Sequence, residues 1–406
     1  MKTGSNKTNE DGDAQSGPMS GIRIARVATV PYSVVFQLPR QIEYTVRSGA
    51  SVTVISSGGE ELKTLKQAIP ALEFISVEMD RRISPLKDLL ALARLVAVFR
   101  REKFDIVHST TAKAGLLTSI AAWLAGVPVR LHTFTGQPWV HLRGPLRWLA
   151  RGSDRLIGRL NTRCYADSAS QRQFLVEEGI ASPQRLAVIG AGSLDGVDFG
   201  RFDPVRFPPV VCAELRRSLG IPDGAPVLLF VGRITVDKGV RELLTAFRAL
   251  KDAGNPVHLI LAGPFDAEGG GVPRTEVEGI ADIHVIGYTQ QPEAYMAVAD
   301  ILCLPSYREG FGTVVIEAAA MNVPTVGTKI YGLTDAVVDG ETGLLVPPRD
   351  AGALKNALQS LLENEALRQG MGRAANQRAK MSFGADMING EVVEEYCRLL
   401  KECACE

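Results

Sequence analysis

Two carboxylates, Glu309 and Glu317, stand eight positions apart in the stretch REGFGTVVIEAAAMNVPTV, residues 308–326. The apolar segment ILCLPS (301–306) just before it reads as a strand, YREGFG as the loop after it, and TVVIEAAAM as a helix. Gly310 and Gly312 permit positive φ and let the backbone approach a ligand closely. A helix that starts at Thr313 and Val314 offers unpaired N–H groups and a partial positive charge, which suits a phosphate or diphosphate. Glu317, about one turn into that helix, is placed to accept hydrogen bonds from sugar hydroxyls, and Glu309 faces the same ligand from the loop. Acids are also favoured near helix N-termini for structural reasons alone, so this spacing leaves two plain surface acids as an open reading. A second segment, VGRITVDKGV (231–240), brings Arg233 and Lys238 to the end of another strand. A guanidinium grips a diphosphate through two parallel hydrogen bonds, and an ammonium adds a point charge. Two solvated loop cations are the bland alternative.

These residues need elements to aim them. From Gly21 onward, IRIARVATV (22–30), SVTVISS (51–57), DIVHS (105–109), RLHTFTG (130–136), RCYADS (163–168) and RLAVIG (185–190) are apolar runs without alternation. That is the pattern of parallel strands covered on both faces. Ser84-Pro85 starts one of the helices between them. Five prolines in DPVRFPPVVCAELRRSLGIPDGAP place a linker at 204–224. The series then restarts with VLLFVG (227–232), a helix from about Gly239 to Ala253, HLILAG (258–263), IHVIG (283–287), ILCLPS and PTVGT (324–328). The repetition predicts two Rossmann-like, doubly wound α/β halves, 21–203 and 225–383, facing a central cleft where ligands bind at the strand ends. A last helix, within 384–406, follows.

Composition agrees with this scale. The 406 residues suit two domains, and 46% hydrophobic with 22% charged residues is normal for a soluble enzyme. The formal net charge is zero, which points to no nucleic-acid partner. The six cysteines show no zinc spacing and no CxxC pair, the pattern of a reduced, cytoplasmic protein. The best apolar run, LLALARLVAVF (89–99), is too short for a membrane span and contains Arg94. Residues 1–20 are almost without apolar content and are expected to be a disordered tail.

With VGRITVDKGV, LPSYREGFGTVVIEAAAMNVPTVGT and VVDGETGLLVPPRD (337–350) in place, the second half resembles family 4 retaining glycosyltransferases of the GT-B fold. The first half adds RRISPLKDL (81–89), DIVHSTTAKAGLL (105–117), LHTFTG (131–136) and IGAGSLDGVDFGRF (189–202), and looks closest to bacterial capsule, exopolysaccharide and O-antigen enzymes. The resemblance implies a metal-independent transferase that moves a sugar from a nucleotide-diphospho sugar, UDP-linked, to a lipid-linked saccharide acceptor, with no other cofactor. It implies that Arg233 and Lys238 hold the diphosphate and that Glu317 binds the ribose. Glu309 would hold the donor sugar with the backbone of Gly310, Phe311 and Gly312, while Thr313 and Val314 offer N–H groups to the phosphates. His284 to Gly287 would lie against the base, His132 beside the reacting carbon, and His108, Lys113 and Gly136 with His132 around the acceptor. The last helix is expected to cross back onto the first domain. The chain departs from the pattern at TVPYSVVFQ (29–37), where many members have glycines, and at Thr135, where relatives carry a second histidine. Other GT-B enzymes, such as a nucleotide-sugar epimerase or a sugar-phosphate synthase, and a non-catalytic nucleotide-sugar-binding protein are the alternatives.

Other motifs lead elsewhere. VIGAGSLDG (188–196) follows a strand but has the spacing G-x-G-x-x-x-G and no helix after it, which argues against a dinucleotide site. AEGGGVP (267–273) is a flexible loop. His108 is equally a satisfied core histidine or an acceptor contact. His141, His258 and His284 do not group as metal ligands. GPLRWLARGSDRLIGRLNTR (144–163) carries Arg147, Arg151, Arg155, Arg159 and Arg163 at every fourth position, with Trp148 and leucines between. Such a helix either lies on an anionic membrane surface or packs on the core with a solvated basic face.

Overall fold

The computed structural model describes residues 17–80, 83–140, 142–266 and 270–405. Most of the expected tail (1–16), Arg81 and Arg82, His141 and residues 267–269 lie outside these. Residues 17–20 correct the expectation: Met19 is fully buried and its N–H donates to the Ser48 carbonyl at 2.9 Å.

Within the described residues the first sheet has seven parallel strands: β1 Arg23–Val27, β2 Ser51–Ser56, β3 Glu73–Ser76, β4 Ile106–Thr110, β5 Val129–Phe134, β6 Arg163–Ala166 and β7 Leu186–Val188. Their order is β3-β2-β1-β4-β5-β6-β7, with Ile24 paired to Val52 on one side and Ile106 on the other. The second sheet orders β8 Val227–Val231, β9 His258–Ala262, β10 Ile283–Gly287, β11 Ile301–Leu304, β12 Thr325–Thr328 and β13 Gly343–Val346 as β10-β9-β8-β11-β12-β13. The short strands β3 (EFIS) and β13 (GLLV) are the two the apolar-run reading passes over.

Both faces of the first sheet are covered, which is why its strands read as continuous apolar runs. Ile24, Val52, Val54 and Leu131 face one core, while Ala25, Val27, Ile55 and Val107 face another. The first of these cores is closed by Val392, Val393, Tyr396 and Leu399 from the helix Ala385–Ala404. The end of the chain therefore completes the first domain. The 204–224 stretch is not an irregular linker. It holds the helix Pro209–Ser218, whose Arg216 donates to the Val298 carbonyl of the second domain at 3.2 Å. Pro208 and Pro209 stand at the start of that helix, where the missing N–H costs nothing.

In each sheet the strand order reverses beside the first strand, between β1 and β4 and between β8 and β11. Loops leaving neighbouring strands diverge there and open a crevice. The 232–239 and 305–312 loops both leave the second sheet at this point.

Candidate functional site

The two loops are stitched together. Tyr307 N–H donates to the Asp237 carbonyl at 2.8 Å, and Lys238 Nζ donates to Glu309 Oε1 at 2.6 Å. Ser306 Oγ donates to the same Glu309 oxygen at 2.7 Å. Gly312 then starts the helix Thr313–Ala320 from a left-handed conformation, φ +88°, which favours glycine. Gly310 is required for a different reason than the one read from sequence. It does not have positive φ, but a Cβ there would lie 2.6 Å from Asp167 Oδ2 and 3.0 Å from the Thr135 carbonyl.

The start of the 313–320 helix opens on a cavity of about 380 Å³ between the domains. Lys238, Glu309, Gly310, Phe311, Gly312, Thr313, Val314 and Glu317 all line it. Arg40 and Arg201 stand near Glu317. Removal from water pushes the Glu317 carboxyl up to about 7, and Glu293 adds to the rise while Arg201 and Arg40 oppose it. Arg201 is itself held by Glu293 at 2.7 Å.

Several sequence candidates lie elsewhere. Arg233 pairs with Asp266 at 2.6 Å and lines an adjoining, wider cavity of about 720 Å³ together with Lys113. Lys113 is held by Asp88 at 2.6 Å. His132 lies behind the cleft wall, 1% exposed, with Nδ1 2.9 Å from Ser109 Oγ and its ring against Gly115. Burial pushes it down to about 3, so it is neutral. The acceptor role for His108 is corrected: Nδ1 meets Tyr396 Oη at 2.6 Å and Nε2 meets Thr133 Oγ1 at 2.8 Å, so neither nitrogen is left for a ligand. His284 points to His258, 3.1 Å between ring nitrogens, at the far end of its strand from the cleft. Gly287 ends β10 with φ +75° and does not line the cavity. Gly136, φ +123°, faces Gly310 across the cleft. The 188–196 loop serves fold and cleft together: a Cβ at Gly190 would crowd Ile388 and Glu391 of the last helix, while Leu194, Asp195 and Gly196 line the cavity.

Sequence reasoning missed Asp167, Arg40 and Arg201. Asp167 directly follows the strand in RCYADS, so its place at the carboxyl end of a strand was the available signal. Around it the domains touch. Ser168 Oγ donates to the Gly310 carbonyl at 2.9 Å, Gly332 N–H donates to Ser170 Oγ at 2.8 Å, and Phe174 stacks on Tyr331 with centroids 4.8 Å apart.

With this geometry in hand, the chain can be set beside known proteins. The model for the glycosyl transferases group 1 matches residues 212–378, and that for the glycosyl transferase 4-like domain matches residues 34–192. The chain is 28% identical over 389 residues to the capsular polysaccharide biosynthesis glycosyltransferase CapM of Staphylococcus aureus, covering 95% of this chain and 99% of that one. It is 32% identical over 323 residues to a D-inositol 3-phosphate glycosyltransferase of Streptomyces scabiei, covering 72% and 68%. The structure of HepE from Anabaena in complex with UDP and glucose superposes with a TM-score of 0.75 at 19% identity, covering 92% of this chain and 99% of that one.

Proposed function

We propose that this chain, which belongs to the group 1 glycosyl transferases, is a retaining, metal-independent hexosyltransferase that carries a sugar from a UDP-linked donor to a lipid-linked saccharide in surface-polysaccharide assembly. Its two parallel-sheet domains facing a cleft form the GT-B fold. One observation carries the reading: the start of the 313–320 helix, the Lys238–Glu309 pair and Glu317 converge on a single cavity. UDP is favoured by the likeness to HepE, and a polysaccharide product by the likeness to CapM.

In this reading the diphosphate rests on the N–H groups of Thr313 and Val314, with Lys238 beside it. As the bond from the sugar carbon to the diphosphate breaks, negative charge grows on the leaving oxygen. The helix start and Lys238 stabilise that charge without having to reorganise. Arg233 joins them by exchanging Asp266 for the phosphate. Glu309 holds the sugar and Glu317 accepts hydrogen bonds from the ribose hydroxyls. The acceptor hydroxyl attacks from the face the diphosphate leaves, and the leaving phosphate oxygen takes its proton. No side-chain base is needed, which accords with a buried His132 that binds a proton weakly and meets Ser109 through Nδ1.

The test begins with thermal shifts by UDP, GDP, ADP, CMP and NAD, with and without EDTA, on wild type and Glu317→Ala. UDP stabilisation that survives EDTA and is lost in the variant is expected, and stabilisation by NAD alone sinks the reading. Incubation with UDP-sugars and lipid-linked acceptors then gives the anomeric configuration of the product. An inverted centre refutes retention, and free sugar as product favours an epimerase or hydrolase.

Membrane contact belongs to the same proposal. No helix among the described residues is long and apolar enough to cross a membrane. The helices Pro85–Glu102, Ala112–Ala125 and Gly144–Leu160 pack side by side and leave Leu86, Leu89, Trp123, Leu146, Trp148 and Leu149 exposed. Part of the arginine row is committed to the fold: Arg151 pairs with Glu178 at 2.8 Å and Arg155 donates to the Gly179 carbonyl at 3.2 Å. The exposed apolar residues therefore lead the contact. Co-sedimentation with anionic vesicles should weaken in Trp148→Ser with Leu149→Ser. Wild type that stays in solution with vesicles at low salt refutes it.

A further inference from the structure

Asp167 has a side chain that the fold does not use. It follows β6, and its backbone is fully satisfied: its N–H donates to Gln171 Oε1 at 2.7 Å and its carbonyl accepts from Ser193 N–H at 2.8 Å. The next helix, Ala169–Glu177, is capped by Ser168, whose hydroxyl accepts from Gln171 N–H. The carboxylate serves none of these roles. Asp167 is only 7% exposed, and Oδ1 is buried without a hydrogen-bond partner among the described residues. Burial pushes its carboxyl up to about 8. Such a group destabilises a protein unless something hydrogen-bonds to it.

Its position says what that something is. Asp167 lines the same cavity as Glu309, Gly310 and the start of the 313–320 helix. Oδ2 lies over Gly310, within 2.6 Å of where a Cβ would stand, and Ser168 ties this spot to the Gly310 carbonyl. The absence of a side chain at 310 keeps the carboxylate uncovered on the cleft side. A diphosphate on Thr313 and Val314 places the attached sugar towards 309 and 310, under Asp167. We infer that Asp167 is a donor-sugar-binding residue, contributed by the first domain, that hydrogen-bonds a hydroxyl of the transferred sugar on the side opposite Glu309. This rests on the nucleotide-sugar reading above and extends it. The first domain would read the donor as well as hold the acceptor, and only when the domains are in contact at Ser168 and Gly310.

The test separates the sugar from the nucleotide. Calorimetry measures UDP and then UDP-glucose, UDP-galactose, UDP-N-acetylglucosamine and UDP-glucuronic acid on wild type, Asp167→Ala and Asp167→Asn. The sugar that adds most affinity over UDP in wild type is carried forward. Asp167→Ala should leave UDP affinity unchanged and lower affinity for the UDP-sugar about ten-fold, as loss of a buried hydrogen bond does. Asp167→Asn, which keeps an acceptor oxygen, should lie between. The unfolding temperature should hold or rise in both variants, since an unpartnered acid is removed. Equal weakening of UDP and UDP-sugar, or a fall in stability, makes Asp167 structural and overturns the proposal. Unchanged donor affinity with a raised KM for the acceptor overturns the donor assignment. A wild type that binds UDP but gains nothing from any of the sugars overturns it too. A wild type that binds no nucleotide at all refutes the nucleotide-sugar reading itself, a failure visible before any variant is made.

Discussion

Glu317 carries a built-in cost that pH can expose. Its carboxyl stands at about 7 against an ordinary value of 4.5, chiefly because it is removed from water. The sign follows from linkage. A carboxyl whose folded pKa is raised contributes its full stability below pH 4.5 and loses it as pH rises through 7. The interval of about 2.5 pH units, at about 1.4 kcal/mol each, sets an upper value of about 3.5 kcal/mol, and relaxation in a half-open cleft brings it to about 1–3 kcal/mol. Glu317→Gln keeps the shape and removes the titration. For a domain of this size 1 kcal/mol moves Tm by about 2–4 °C. The variant should therefore melt with wild type at pH 5 and roughly 3–10 °C above it at pH 8.5. Asp154, Asp167 and Asp195, raised as well, move both proteins together and cancel in the difference. UDP should reverse the order, because the bound nucleotide stabilises by RT ln(1 + [L]/Kd) and the variant has lost its ribose acceptor. Differential scanning fluorimetry from pH 5 to 8.5, with and without UDP, reads both effects. Curves that stay parallel across pH refute the desolvation argument, and equal stabilisation of both proteins by UDP refutes the ribose contact.

Three further outcomes are expected. Lys238→Met removes the cation 2.6 Å from Glu309 and should lower kcat by about 10²–10³ in a donor-turnover assay, with smaller change in donor affinity. Gly310→Ala puts a Cβ 2.6 Å from Asp167 Oδ2 and 3.0 Å from the Thr135 carbonyl, so turnover should collapse and X-ray scattering should show the domains farther apart. Tyr396→Phe removes the hydroxyl that meets His108 at 2.6 Å and Arg26 at 2.8 Å, and should cost about 1–3 kcal/mol in chemical denaturation with kcat little changed.

The sheet strands other than β3 and β13, and the 305–320 loop and helix, were readable because local pattern determines them. Apolar runs mark strands covered on both faces, and Gly312 with the following apolar run marks a helix start. Lys238 was readable for the same reason, being tied to the next loop by a short reach. The histidines were not. His132 and His108 sit on neighbouring strands of one sheet, and which way each ring turns depends on partners, Ser109 and Tyr396, that no local pattern names. Arg233 has a long side chain, and Asp266 decides its direction. Asp167 escaped because an acid at a strand end looks ordinary until the opposite domain covers it.

The helix Ala385–Ala404 closes the core of a domain that begins some 360 residues earlier in the chain, at Arg23. On the ribosome the strands of this domain emerge first and must wait for a helix made after the whole second domain. Until Tyr396 arrives, His108 and the buried Arg26 lack its hydroxyl. The second domain, built from continuous sequence, can fold in the meantime. The two crossings between halves then meet, Val197 N–H donating to the Phe383 carbonyl at 2.7 Å and Ala385 N–H to the Val197 carbonyl at 2.9 Å. A chain stopped before that helix would thus carry a folded second domain beside an unsealed first one, so the two walls of the cleft come together only once the helix has been made.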